Sequence, residues 1–234
     1  MNLPQRIKRS IDVVLAGAIL LLSSPVLALV ALLILILEGR PIFYVSARCI
    51  APGRTIPVLK FRTMVRDAKS SKYRLKERFM RDGYLDIPRT CEVYTPIGRI
   101  LERLQIVEVP QMLNVVFHGM SLIGNRPLPL ENVELLKQYP KWSQRFDSPA
   151  GITGIAQVVG KMWIAPEHRL ELEAAYSLTY RTGNILRCDL LILAYTVRFI
   201  LTSRGLPPLK AYELLGVPAP SLERERQGAA ASSR

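Results

Sequence analysis

From Val13 to Leu37 the chain is apolar almost without a break, a run of about 25 residues that is long enough to cross a bilayer as a single helix. Arg6, Lys8 and Arg9 precede it, and Arg40 and Arg48 follow it. Ser23-Ser24-Pro25 sits mid-run, where proline removes a backbone hydrogen bond and kinks a helix. The run is too long for a cleavable signal peptide, and no small-residue cleavage site ends it. On residues alone two readings stay level: a kinked single span, or a helix–break–helix that dips in and returns. Positive charge on both flanks suits the second, because cationic flanks prefer the cytoplasmic side.

After Arg40 the pattern changes to short elements. Pro41–Val45 and Thr55–Met64 alternate as strands around the turn Ala51-Pro52-Gly53. Alternation puts Lys60 and Arg62 on one strand face and Phe61 on the other. Met64–Arg81 reads as one basic amphipathic helix, with Met64, Ala68, Leu75 and Phe79 as its apolar stripe, suited to an anionic membrane surface or to plain solvation. Thr95-Pro96 opens a short helix as N-cap and first helical residue, carrying Arg99 and Arg103. Pro110 suits the start of another helix that Gly119 stops, leaving Glu108 beside its free amide hydrogens. Glu131–Tyr139 is a further helix, and Ile185–Leu201 a packed or interfacial one. The glycines of Gly151-Ile152-Thr153-Gly154 suit a tight turn or close backbone approach to a ligand. From Val217 the composition predicts disorder. The sum is an α/β (α+β) chain, mainly helical: membrane segment 1–40, folded body 41–205 with a β-hairpin, and tail 206–234.

Composition sharpens this. Among 234 residues, 49% are hydrophobic, yet the net charge is +13, so one very apolar segment is joined to a basic body. Such a surface attracts anionic lipid, nucleic acid or phosphorylated substrates. Aromatic residues make up only 7%, leaving few stacking platforms for single-stranded nucleic acid, and no recognition motif is present. Cys49, Cys91 and Cys188 are widely spaced, as reduced thiols in a cytosolic setting would be. His118 and His168 have no partner at metal-ligand spacing.

The chemistry concentrates at Gly98-Arg99, Glu108, Pro110-Gln111, Asn114-Val115, Gly119-Met120-Ser121 and Gly124-Asn125-Arg126-Pro127. With Lys60-Phe61-Arg62-Thr63-Met64 upstream and Gly151 to Gln157 downstream, these resemble, in order, the motifs of the bacterial sugar transferase family, the monotopic phosphoglycosyl transferases. The resemblance favours the re-entrant membrane segment, since the family has a Ser-Pro break there. It implies transfer of a sugar 1-phosphate from a nucleotide diphosphate sugar to polyprenyl phosphate at the cytoplasmic face of the inner membrane, with Mg2+ neutralising the diphosphate. It casts Arg126, Arg99, Lys60, Arg62, Gln157 and Thr153 as substrate or phosphate contacts and Glu108 as metal ligand. The family's nucleophile is an aspartate, whose place Val107 takes. Asn125 replaces a proline, Glu102 a basic residue, and Ser46 and Ile50 a glutamine and a glycine. Three expectations follow: a non-catalytic homologue that binds nucleotide sugar, lipid phosphate or an active homologue or other glycan-assembly protein; an enzyme using Glu108 as catalytic nucleophile; and, on charge alone, a membrane-tethered nucleic-acid binder. The first is preferred and nucleic acid is the least supported partner.

Overall fold

A computed structural model describes residues 1–81, 84–160, 165–202 and 204–217; the distal tail expected to be disordered lies outside them. The chain runs as α1 (Leu3–Glu38), β1 (Phe43–Ala51), β2 (Arg54–Phe61), α2 (Leu75–Phe79), β3 (Met80–Arg81), β4 (Tyr84–Leu85), α3 (Pro96–Arg103), a 3-10 segment (Ile106–Gln111) and α4 (Met112–Phe117). Then come β5 (Ser121–Ile123), α5 (Leu130–Leu136), β6 (Gly151–Thr153), α6 (Ile155–Val159), α7 (Pro166–Thr182), α8 (Ile185–Thr202) and α9 (Pro208–Leu215). The mainly helical α/β class with a small hairpin is the one expected.

By contacts the chain forms two compact units, one of Ser10–Leu122 with Pro127–Leu135, the other of Met1–Arg9, Ile123–Arg126 and the described residues from Leu136 on.

α1, of which Ser10–Glu38 lie in the first unit, is helical through Pro25 to Glu38, so the Ser-Pro step opens its hydrogen bonding without ending the helix. Pro25 has no N–H for the Leu21 carbonyl, and the Ser24 hydroxyl donates to that carbonyl instead at 2.8 Å. Ser23 donates likewise to Ile19 O at 2.6 Å. Side-chain donors thus take up backbone acceptors next to the proline. At 36 residues α1 is about 54 Å long if straight. Its middle is bare hydrocarbon, with Leu21, Leu22, Val26 and Leu29 all exposed. Two points along its Ser10–Glu38 part are held by the same unit. Asp12 accepts from Ser121 Oγ at 2.6 Å and from Leu122 N at 3.3 Å, and Val30 and Ile34 join a buried cluster with Phe61, Leu101 and Val107.

β1 and β2 pair antiparallel through a turn in which Gly53 takes φ +72. β1 is longer than expected and begins at Phe43, while β2 stops at Phe61. Met64–Arg81 is not one helix. It is a turn, a 3-10 turn at Ser71–Tyr73, α2 and β3, because Arg74 takes a left-handed conformation (φ 47) that ends the helical path. Its apolar stripe packs inward: Ala68 and Leu75 are buried with Cys91, Val93 and Tyr94, and Met64 and Phe79 pack against them. Arg74 pairs with Glu77, Arg78 with Glu92, and Lys76 with Glu131.

The second unit is helical. α7 packs against α6, α8 and α9, burying Leu170, Leu172, Tyr176, Ile185, Ile192 and Tyr212. The expected tail therefore begins too early: α9 is part of the fold, and Tyr212 donates to Glu171 at 2.9 Å. α8 is one of the packed helices, with Asp189 buried on its inner face against Lys8 (2.6 Å) and Tyr176 OH (2.8 Å).

Candidate functional site

The first unit brings β2 and the 3-10 segment together. Phe61 points into the core and stacks on Phe43 at a centroid distance of 5.2 Å. The preceding residue must then point the other way. Lys60, paired across the hairpin with Tyr44, reaches Glu108, with Nζ 2.5 Å from Oε1. Arg62, past the strand end, does something different from what its spacing suggested. It is buried and donates to the carbonyls of Glu38 (3.1 Å) and Gly39 (2.8 Å), closing the C-terminus of α1 with the Glu38 carboxylate 3.6 Å away.

Pro110 does not start α4 as expected. It lies inside the 3-10 segment, and α4 begins at Met112. Glu108 is thus in the first turn of the 3-10 segment, where it pairs with Lys60. Val107, one residue earlier, is 3% exposed and packs among hydrocarbon side chains, with Leu27, Ala31, Ile97 and Ile106 around its cluster. Asn114 fixes α4 to the hairpin, donating to Pro57 O at 2.6 Å and accepting from Leu59 N at 3.3 Å. Gly119 ends α4 at φ +75, as expected.

α3 starts as predicted, the Thr95 hydroxyl accepting from Gly98 N at 3.0 Å with Pro96 in the first turn. Gly98 is required by a close crossing: an added Cβ would lie 2.0 Å from Thr63 O. Arg99 is exposed and makes no side-chain hydrogen bond or ion pair with the described residues. Glu102 accepts from the Thr63 hydroxyl at 3.3 Å. Burial, with Glu102 and then Asp86 nearby, pushes the Tyr94 phenol up to about 12.

Beside Lys60 the hairpin carries further positive charge. Lys69 Nζ lies 5.2 Å from the centre of the Tyr44 ring, and Arg48 Nε donates to Ser46 Oγ at 3.0 Å. Burial alone would raise the Tyr44 phenol, but Lys69, Ser46 and Arg48 together hold it below its ordinary value.

The second unit carries Arg126, Thr153 and Gln157. Gly124, Gly151 and Gly154 are needed because two backbone segments touch, not for a ligand to approach: a Cβ on Gly151 would sit 2.1 Å from Gly124 N, and one on Gly154 2.0 Å from Gly124 O. Thr153 Oγ1 bonds Thr196 Oγ1 at 2.9 Å, and Gln157 donates to Ile152 O at 3.2 Å. Asn125 is a buried node. Its amide nitrogen lies 2.9 Å from both Arg145 O and Glu173 O, with the hydroxyls of Ser177 and Ser148 also in reach. Arg145 in turn donates to Arg126 O at 2.9 Å and to Glu173 at 2.7 Å, and Arg169 donates to Glu173 at 3.1 Å. Burial would raise the Glu173 carboxyl, but Arg145 and Arg169 hold it below the usual range. A buried Arg–Glu–Arg triad thus frames the turn that presents Arg126. Sequence reasoning missed it. The i,i+4 spacing of Arg169 and Glu173 was the only local signal; Arg145 comes from 28 residues away.

Glu108 is the carboxylate that would meet a magnesium ion at this site, with diphosphate oxygens and water supplying its other ligands. Among the described residues no three Asp, Glu, His or Cys side chains gather as metal ligands. Glu108 brings a single carboxylate, which pairs with the Lys60 ammonium in this structure.

Known proteins place the chain. It is 31% identical over 206 residues to the exopolysaccharide production protein ExoY of Rhizobium meliloti, covering 85% of this chain and 87% of that one. It is 32% identical over 200 residues to the uncharacterized sugar transferase EpsL of Bacillus subtilis, covering 86% and 90%. It is also 34% identical over 155 residues to the UDP-glucose:undecaprenyl-phosphate glucose-1-phosphate transferase of Escherichia coli, there covering 66% of this chain but only 31% of the longer relative. The profile of the bacterial sugar transferases matches residues 3–203, and the chain belongs to that family.

Proposed function

We propose that this chain is a membrane-dipping member of its family that binds the sugar donor and lipid phosphate but does not form the covalent phosphosugar intermediate. In the family reaction implied by the motifs, a carboxylate oxygen attacks the sugar-proximal phosphorus, the bond to the nucleoside monophosphate breaks, and polyprenyl phosphate then accepts the phosphosugar. The side chain at the attacking position must carry a lone pair. One observation carries the reading: Val107, at that position, is hydrocarbon packed within hydrocarbon. Glu108 is a poor substitute, because it is one residue off the attacking position and its longer side chain turns toward Lys60.

The partners are then a nucleotide diphosphate sugar, polyprenyl phosphate, the lipid surface, and an active homologue or other glycan-assembly protein that completes the transfer. Relatives from Escherichia coli and Aeromonas hydrophila are named for transfer from UDP-glucose and UDP-N-acetylgalactosamine to undecaprenyl phosphate, which supports this substrate class.

The dipping topology draws support from α1. Asp12 near its start and Val30 and Ile34 near its end all contact one folded unit, while the stretch between them is exposed and apolar. A helix anchored to one body on both sides of its exposed stretch, at Asp12 and at Val30 and Ile34, leaves the membrane on the side it entered. Exposed Ile100 on α3, Leu104 just past its end, and Leu113 and Phe117 on α4 suit contact with the lipid surface. We place the body at the cytoplasmic face of the inner membrane, as its cationic flanks require.

The test is turnover in nanodiscs with UDP-glucose, UDP-galactose or UDP-N-acetylgalactosamine and undecaprenyl phosphate, following release of UMP. The wild-type chain should bind donor without releasing UMP. Steady UMP release by wild type, abolished in Glu108→Gln, would refute the reading and make Glu108 the nucleophile.

A further inference from the structure

A two-stranded hairpin has two outer edges, and backbone groups on each need partners. Arg62 N donates to Ile42 O at 2.9 Å, so in the register that pairs Tyr44 with Lys60 the even-numbered residues of β1 turn their backbone groups toward β2. Those of Phe43, Val45, Ala47 and Cys49 point the other way. Two observations agree: Pro57, which has no N–H to give, lies opposite Ala47, and Cys49 N donates outward to Leu128 O at 2.8 Å. The outer edge of β2 is covered, since Asn114 donates to Pro57 O and accepts from Leu59 N. The outer edge of β1 is not. From Phe43 to Ala47 the outward N–H and C=O groups have no hydrogen bond with any described residue.

Such an edge is a template for another strand, and proteins that stay single guard it with charge, proline, a bulge or a cover. Phe43-Tyr44-Val45-Ser46-Ala47 carries no charge, the register shifts only past Cys49, and Val45 is 54% exposed. We propose that a second copy of this chain pairs here, antiparallel, making a four-stranded sheet across a two-fold axis through Val45. The edge suits a copy of itself. Outward residues must meet outward residues, so Val45 meets its counterpart and Phe43 meets Ala47, a large side chain against a small one. Tyr44 falls opposite Ser46 and Arg48 opposite Ile42, so no like charges oppose each other although the chain carries +13. A register centred on Arg48 would set two guanidinium groups face to face, which fixes the axis near Val45. Five residues of edge are a small interface beside the roughly 1,200–2,000 Å² of a stable complex, so the pair forms when copies share one membrane and falls apart on dilution in detergent.

The experiment uses the full chain in liposomes of phosphatidylethanolamine and phosphatidylglycerol at low protein density. Val45→Cys, in a chain whose three native cysteines are buried, should form a disulfide-linked dimer on mild oxidation, because hydrogen-bonded cross-strand partners lie about 5.5 Å apart at Cα, within disulfide reach. Arg54→Cys, at the hairpin turn about 20 Å along the strand, should not. Val45→Pro removes the outward donor and no bond inside the hairpin, so its thermal unfolding should match wild type. Energy transfer between donor- and acceptor-labelled copies should show that its association constant falls at least about tenfold, the scale of two net hydrogen bonds lost across the axis. Val45→Lys, which sets two ammonium groups on that axis from an exposed position, should lose as much, and serves where the proline variant does not fold. Wild type that stays monomeric by stepwise photobleaching, linkage at position 54 as fast as at 45, or unchanged association in both Val45 variants would overturn the proposal. So would a link from position 45 to a different protein in native membranes with no self-link. None of these outcomes bears on donor binding.

Discussion

The Ser24 hydroxyl donates at 2.8 Å to the Leu21 carbonyl, the acceptor that Pro25 deprives of its helical partner. In an apolar surrounding a carbonyl left bare carries its full desolvation cost. Ser24→Ala should therefore lower the stability of the membrane-embedded protein by about 1–3 kcal/mol. In a Pro25→Ala background the backbone N–H returns, and the same serine substitution should cost little. Thermal unfolding in nanodiscs across this double-mutant cycle checks the coupling; equal losses in both backgrounds would disprove it.

The contacts of Asp12, Val30 and Ile34 on either side of the exposed stretch of α1 make a second prediction. Single cysteines at positions 3 and 42, in a chain whose three native cysteines are buried, should be shielded alike from an impermeant thiol reagent in intact spheroplasts and labelled alike once the membrane is opened. Labelling of one from outside and the other only from inside would mean that α1 spans.

Glu173 sits between two arginines, and replacing it by glutamine leaves both cations buried without a carboxylate. Glu173→Gln should cost about 3–5 kcal/mol. The sign of its pH dependence is fixed. A carboxyl whose folded pKa is lowered contributes fully above its unfolded range, near 4.5, and loses that contribution as pH falls toward the folded value. The wild type should thus weaken on acidification below that range more steeply than the variant, as read by denaturant midpoints at successive pH values.

Gly98→Ala places a methyl carbon 2.0 Å from the Thr63 carbonyl, so strand end and helix must separate. A loss of about 1–3 kcal/mol is expected. Gly53→Ala, where a Cβ meets nothing within 4 Å, should suffer only from its positive φ and lose less. Denaturant melts of the two variants, side by side, check the ranking.

Local rules read some of this fold correctly from the sequence. Thr95-Pro96 starts a helix, Gly119 ends one and Gly53 turns a hairpin, because each depends only on a residue's own conformational range. Met64–Arg81 misled because helical spacing is blind to the left-handed Arg74, and because Cys91, Val93 and Tyr94, which bury its apolar side chains, come later in the chain. Lys60 and Arg62 shared a strand face by alternation, yet β2 ends at Phe61, and Arg62 turns to the end of α1. Asn125 read as a departure from a motif; its value lies in Arg145 and Glu173, distant partners that no local pattern announces.

The loss of the attacking oxygen at Val107 is tested most directly by intact-protein mass spectrometry after incubation with UDP-glucose and no lipid acceptor. The account predicts an unchanged mass for the wild-type chain. Val107→Asp, although destabilised by a carboxylate in a hydrocarbon cluster, should gain the mass of a hexose phosphate in its folded fraction. A hexose-phosphate adduct on the wild type, mapped by peptide sequencing to Glu108, would contradict it.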